Sequence, residues 1–171
     1  MFKPDMYQKS IYTIDYKKLK GMGIKCLLFD LDNTICPPKE DVVSLELKNL
    51  FSSIKKLDIK CIIFSNSINR NKLKKLSKYY EIDYVGMACK PISYSYKKII
   101  KKYKYKNNEI CAIGDQLVTD IIGGNLVKIT TILVDPISEK DEKITLLNRF
   151  IEKRLFKKLY KQGFEKGKYY Y

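Results

Sequence analysis

Beyond Gly23 the chain alternates between two kinds of apolar pattern. Short continuous runs, Ile24-Lys25-Cys26-Leu27-Leu28-Phe29, Ile59-Lys60-Cys61-Ile62-Ile63-Phe64, Glu109-Ile110-Cys111-Ala112-Ile113 and Ile129 to Val134, are rich in β-formers and read as strands buried on both faces. Between them apolar residues recur at helical spacing. Val43, Leu47, Leu50, Phe51, Ile54 and Leu57 mark one helix, Asn69 to Tyr79 a second with Asn69 as N-cap, and Val118 to Leu126 a short one. Pro91 suits the first turn of a further helix whose apolar face is Ile92, Tyr96, Ile99, Ile100 and Tyr103, and Asp83 to Met87 gives a short strand before it. Repeated βα units predict an α/β fold, a parallel sheet covered by helices on both faces.

The two ends of the chain read differently. Residues 1–22 form an N-terminal extension whose Tyr, Ile and Leu content predicts packing on the domain. From Lys140 to Tyr171 ten Lys/Arg face four Asp/Glu, and Leu147, Phe150, Ile151, Leu155 and Leu159 make an apolar stripe between basic flanks. That basic amphipathic segment, 140–171, either packs on its own domain or lies on an anionic membrane surface, and the tail after Gly163 reads as frayed. At 171 residues the chain fits one domain, 1–171.

Polar residues collect where the predicted strands end. Asp30-Leu31-Asp32-Asn33-Thr34 follows the first run, so its acids emerge at the C-terminal end of a buried strand, where open α/β sheets bind ligands. Two carboxylates one residue apart in one pocket repel unless a cation or a proton intervenes, which implies Mg²⁺ or one protonated member. Ser65-Asn66-Ser67 follows the run ending at Phe64, a hydroxyl and backbone N–H groups fit for phosphoryl oxygens. Lys90 stands before Pro91, and Gly114-Asp115-Gln116-Leu117-Val118-Thr119-Asp120 follows the run ending at Ile113. Each cluster alone is readable as a turn, a cap or a surface lysine. Their succession at strand ends points to phosphate chemistry.

Composition narrows the chemistry. The chain has no histidine, which removes His triads, His bases and His-ligated zinc and leaves carboxylates, lysine, hydroxyls or thiols. Five cysteines form no C-x-x-C pair, and Cys26, Cys61 and Cys111 lie inside strand-like runs, the pattern of a reduced, intracellular protein with structural thiols. Cys36 and Cys89 lack the His partner that a thiol nucleophile uses. The first twenty residues carry Asp5 and Asp15 and no apolar core, so neither a secretory signal nor a transit peptide is expected, and no run approaches a membrane span. A net charge of +15 predicts attraction to polyanions such as nucleic acid, anionic membrane or phosphorylated substrates.

In this order, Asp30-x-Asp32-x-Thr34, Ser65, Lys90 and Gly114-Asp115-x-x-x-Thr119-Asp120, the chain resembles the haloacid-dehalogenase-like (HAD) superfamily of phosphohydrolases. More narrowly it resembles the YqeG-type, family IIIA, phosphatases, related to phosphatidylglycerophosphate phosphatases. That resemblance rests on Ser10-Ile11-Tyr12-x-Ile14-Asp15, Phe29 through Thr34, Gly114-Asp115-Gln116-Leu117-x-Thr119-Asp120 with Gly123-Gly124-Asn125, and Asn148-Arg149. It implies a Rossmann-like parallel sheet and an aspartyl-phosphate mechanism. By resemblance Asp30 is the nucleophile and Asp32 the acid/base; Asp30, Asp115 and the Asp32 carbonyl hold Mg²⁺; Ser65 and the Asn66 N–H bind phosphoryl oxygens. Lys90 offsets charge on phosphate and Asp30, Thr34 orients the loop, and Asp120 stands outside the metal's direct ligands.

Thr34 to Ser65 holds a loop, a helix and a strand, and Ser65 to Lys90 a short helix and a short strand, which leaves no room for a cap domain. An uncapped site suits a macromolecular or lipid phosphate, or a second subunit that covers it. The expected setting is the cytoplasm, with the basic segment as a candidate contact to membrane. A response-regulator receiver would need its phosphoacceptor Asp at the strand end held here by Ser65-Asn66. The alternative of a different class is a basic RNA- or ribosome-associated binding protein with a secondary HAD-like site.

Overall fold

A computed structural model describes residues 2–38, 43–138 and 146–171, the last segment with side chains from 150 onward. Of the predicted features, residues 140–145, the Leu147 side chain and the Asn148-Arg149 pair lie outside what is described. Six strands, β1 (Met6–Gln8), β2 (Cys26–Phe29), β3 (Lys60–Phe64), β4 (Asp83–Val85), β5 (Ile110–Gly114) and β6 (Thr130–Val134), form one sheet in the order β1-β6-β5-β2-β3-β4. All neighbours pair in parallel, so every strand ends on the same edge.

Alternation along the strands builds two cores. Leu27 and Phe29 of β2 point to one face with Cys61 and Ile63 of β3 and Cys111 and Ile113 of β5. There they meet Leu47, Phe51 and Ile54 of α2 (Leu45–Lys56) and Leu73 and Leu76 of α3 (Arg70–Tyr80), beneath α1 (Tyr16–Gly21) with its buried Leu19. Cys26, Leu28, Ile62, Phe64 and Ala112 point the other way, against Tyr96 and Ile99 of α4 (Ser93–Tyr103) and Val127 beyond α5 (Gly123–Leu126). Ser44 caps α2 and Asn69 caps α3 through their side chains, which accept the N–H groups of Leu47 and Lys72.

Two expectations need correction, at Pro91 and in the tail. Pro91 precedes α4 rather than standing in its first turn: Ile92 is the N-cap and is 61% exposed. The short helix expected over Val118 to Leu126 is present, as a wide π-helical turn, Leu117–Ile122, that runs into the single turn of α5. The N-terminal extension supplies β1, whose three residues carry too little pattern to declare a strand, and which becomes one by pairing with β6. The tail after Gly163 is not frayed, because Phe164 is buried and Tyr170 exchanges backbone hydrogen bonds with Tyr7 at 2.9 Å.

The terminal helix α6 (Leu146–Lys161) packs on the sheet flank. Leu159 is fully buried with Tyr7, Leu117, Ile121, Leu133 and Phe164, and Leu155 and Phe156 lie against them. Glu152 of α6 accepts the Val118 N–H at 2.8 Å. No described helix is long and apolar enough to cross a membrane.

Candidate active site

The chain leaves β2 in a tight reversal. The N–H groups of Ile35 and Cys36 both donate to the Leu31 carbonyl, and Asn33 takes a left-handed φ of 66°, which asparagine tolerates. Leu31 between the two acids is fully buried, so it anchors the loop in the core while Asp30 and Asp32 stay partly open. The apolar residue separating the acids is thus the pin that holds both at the strand end.

Lys90 reaches this loop from the segment after β4. Its side chain is 2% exposed, and its Nζ donates to Asp30 Oδ1 at 2.5 Å and to Asp120 Oδ1 at 2.6 Å. Asn66 aims it: Asn66 Oδ1 accepts the Lys90 N–H at 2.7 Å and Nδ2 donates to the Lys90 carbonyl at 3.0 Å. Both ends of the Asn66 amide are spent on the Lys90 backbone. Ser65 is buried, and its Oγ accepts the Ser67 N–H at 3.0 Å, so its hydroxyl proton is available to an anion.

Asp115 and Asp120 come from the turn after β5. The Thr34 hydroxyl donates to Asp115 Oδ1 at 3.0 Å, which links the loops after β2 and β5. Asp120 Oδ2 accepts the Gln116 N–H at 3.3 Å and the Thr119 hydroxyl at 3.2 Å. A Cβ on Gly114 would stand 2.2 Å from the Asp120 carboxyl, so only glycine lets Asp120 approach the strand end this closely.

One polar group of the site escapes a reading of motifs. Lys72 of α3 is 8% exposed and donates to Asp32 Oδ1 at 3.1 Å. Its signal was its register: Lys72 shares the buried stripe of α3 with Leu73, Leu76 and Tyr80, an improbable place for a lysine without a partner.

Charge in this pocket is unbalanced, since four carboxylates (Asp30, Asp32, Asp115, Asp120) meet two ammonium groups (Lys72, Lys90). Burial, opposed by Lys90 and reinforced by Asp120 and Asp32, pushes Asp30 up to about 7. Burial and then Asp30 and Asp120 push Asp115 well above the carboxylate range. For Lys90, burial works against the charge, but Asp120 and Asp30 outweigh it and hold the ammonium protonated. One carboxylate oxygen each from Asp30, Asp115 and Asp120 lies within 4.8 Å of the others. An all-oxygen set with excess negative charge fits a hard divalent cation such as Mg²⁺. The thiol closest in sequence is inert: burial pushes Cys36 up to about 11.

The chain is similar to known phosphatases. Residues 1–138 match the family model for mitochondrial PGP phosphatase. The chain is 34% identical over 162 residues to the "Probable phosphatase YqeG" of Bacillus subtilis, covering 95% of this chain and 94% of that protein. It is 27% identical over 171 residues to "Phosphatidylglycerophosphate phosphatase 1, chloroplastic/mitochondrial" of Arabidopsis thaliana, covering 94% of this chain and 49% of that protein, so it spans about half of that relative's length. Among solved structures, "a predicted HAD-like family hydrolase from Porphyromonas gingivalis" shares the fold at a TM-score of 0.50 and 13% identity, over 75% of this chain and 98% of that one. None of these matches supports the RNA- or ribosome-binding alternative.

Proposed function

The chain belongs to the mitochondrial PGP phosphatase family of HAD-type phosphatases, and on that premise we propose that it is a Mg²⁺-dependent phosphomonoesterase working through an aspartyl-phosphate on Asp30, with phosphatidylglycerophosphate as candidate substrate. The observation that carries the reading is Lys90, buried between Asp30 and Asp120 at the C-terminal edge of the sheet.

A phosphate dianion repels nucleophiles, so its hydrolysis needs charge neutralisation and an aligned attacking oxygen. Lys90 keeps one face of Asp30 engaged, and the other carboxylate oxygen attacks phosphorus in line. The bond to the alcohol oxygen breaks, and Asp32 delivers a proton to that oxygen as it leaves. Asp32 then takes a proton from the water that attacks the aspartyl-phosphate, releasing inorganic phosphate and restoring Asp30. Lys72 positions Asp32 through the 3.1 Å contact. Ser65 Oγ and the Asn66 N–H hold phosphoryl oxygens. Asp30, Asp115 and the Asp32 carbonyl would hold Mg²⁺, which supplies charge neutralisation for the transferred group. Asp120, with both oxygens hydrogen-bonded, acts by fixing Lys90.

The decisive experiment is phosphate release from sugar phosphates, nucleotides, phosphopeptides and phosphatidylglycerophosphate, with Mg²⁺ and with chelator. Mg²⁺-dependent release that prefers the lipid phosphate is the expected result. Release that survives chelation, or none from any monoester, overturns the proposal.

A further inference from the structure

A cleft of about 610 Å³ opens beside the phosphoryl site, between the C-terminal end of β6 and α6. Asn33 and Asp115 line it, so it is continuous with the catalytic loops. Its apolar wall is Tyr7, Leu133 and Phe156. Three exposed lysines border it, Lys153 and Lys157 one turn apart on α6 and Lys166 beyond it.

The charges along this cleft are not matched in pairs. Its two further carboxylates are engaged elsewhere: Asp135 accepts the Tyr7 hydroxyl at 2.5 Å and the Tyr169 hydroxyl at 2.7 Å, and Glu152 accepts the Val118 N–H. Among the described residues Lys153, Lys157 and Lys166 form no ion pair. An independent sign comes from Asn33, which is 1% exposed. Its Oδ1 accepts the Ser138 N–H at 3.1 Å, but its Nδ2 is a buried donor with no acceptor among the described residues. A buried donor without a partner is costly unless something else accepts its hydrogen bond.

Resting on the phosphatase reading above and taking its lipid-phosphate substrate as the premise, we infer that the α6 cleft is the subsite that holds the leaving alcohol and selects it. The phosphodiester oxygens of that lipid's headgroup meet Lys153, Lys157, Lys166 and the Asn33 amide, while the start of the apolar chain lies on Tyr7, Leu133 and Phe156. The cleft's size is that of a small-molecule site and its mixture of apolar wall and few charges is what orients an amphiphile. Arg154 and Lys158, equally basic and on the same helix, do not line the cleft. Their position separates selection inside the cleft from general attraction of a basic helix to a membrane.

The test compares Lys153→Gln/Lys157→Gln/Lys166→Gln with Arg154→Gln/Lys158→Gln on two substrates. One is monomeric dihexanoyl phosphatidylglycerophosphate, below its micelle concentration so that no surface exists; the other is p-nitrophenyl phosphate. The triple cleft variant is expected to raise KM for the soluble lipid by about 10- to 100-fold, the range for losing charge-assisted hydrogen bonds, with p-nitrophenyl phosphate turnover held within about 2-fold. The double variant should leave both unchanged. Equal loss from both variants, or no loss from the triple variant, overturns the assignment. If wild type hydrolyses neither substrate, the catalytic reading fails but the cleft is still read directly, by calorimetric binding of the dihexanoyl lipid to Asp30→Asn protein. Binding that the three lysine changes abolish then supports the cleft, and binding indifferent to them overturns it.

Discussion

At the N-terminal edge of the sheet Lys25 meets Glu109 at 2.7 Å and Lys60 meets Asp83 at 2.8 Å, each lysine side chain at least 35% exposed. At the C-terminal edge Lys90 meets Asp30 at 2.5 Å and Asp120 at 2.6 Å with its side chain 2% exposed. The partners are of the same chemical kind and differ in solvent. Water screens the first set, so each pair stands alone and its loss costs little. The second set has been taken out of water, where an ion pair scarcely recovers its desolvation but an unpaired charge is very costly. A fold selected for stability alone gains little from four carboxylates in one buried pocket. Their concentration on one edge of the strands is what the proposed phosphate and Mg²⁺ chemistry would use.

The contrast should break most visibly at the proposed nucleophile. Asp30→Asn keeps the shape and removes the attacking oxyanion, so phosphate release should fall by on the order of 10³-fold or more, equivalent to about 4 kcal/mol of barrier, with the circular dichroism spectrum unchanged. Wild-type turnover in that protein would remove Asp30 from the chemistry.

Next in size is the removal of the buried cation. Lys90→Met leaves Asp30 and Asp120 facing each other unneutralised and should cost about 3–5 kcal/mol in urea unfolding of the metal-free protein. Asp120→Asn in the same protein should restore part of that loss, and a double-mutant cycle that shows no coupling would contradict the geometry.

A pH series sharpens the comparison between edges. Asp30 lies at about 7 in the folded protein, above the ordinary carboxylate value, so between about pH 4 and pH 7 the folded state holds a proton that the unfolded state has lost. Metal-free stability from this group is therefore greatest at low pH and declines as pH rises toward 7, by on the order of 1–4 kcal/mol. The difference between wild type and Asp30→Asn isolates it, and saturating Mg²⁺ should flatten the slope. An upward slope of that difference with rising pH would contradict the burial cause. Asp83 runs the other way: hydrogen bonds from Lys60 and Tyr103 hold it below the usual range, so its small contribution is present above the ordinary carboxylate value and lost on acidification.

The smallest effect is expected at the solvent-facing edge. Lys60→Gln should shift unfolding free energy by at most about 0.5 kcal/mol, measured by urea titration, and should leave turnover unchanged. A larger loss would mean that the edges are not electrostatically distinct.

Much of this was legible in the chain because it is local. Continuous apolar runs of strand length and helical stripes of larger period declare βα units wherever they occur, and in a parallel sheet every strand end falls on one edge, so Asp30, Asp32, Ser65 and Asp115 had to share an edge before any pairing was known. What tertiary structure decided is everything that depends on which elements become neighbours. Met6–Gln8 is a strand only because β6 lies beside it, and the tail is ordered only because Tyr7 is there to meet Tyr170. The register of Lys72 on the apolar stripe of α3 calls for a partner, but only docking of α3 makes that partner Asp32, 3.1 Å away, and the basic face of α6 divides into cleft and outer lysines only once the helix is docked against Leu133. Periodicity specifies which way a side chain faces along its own element; its partner across space depends on strand order and docking, which no local pattern encodes.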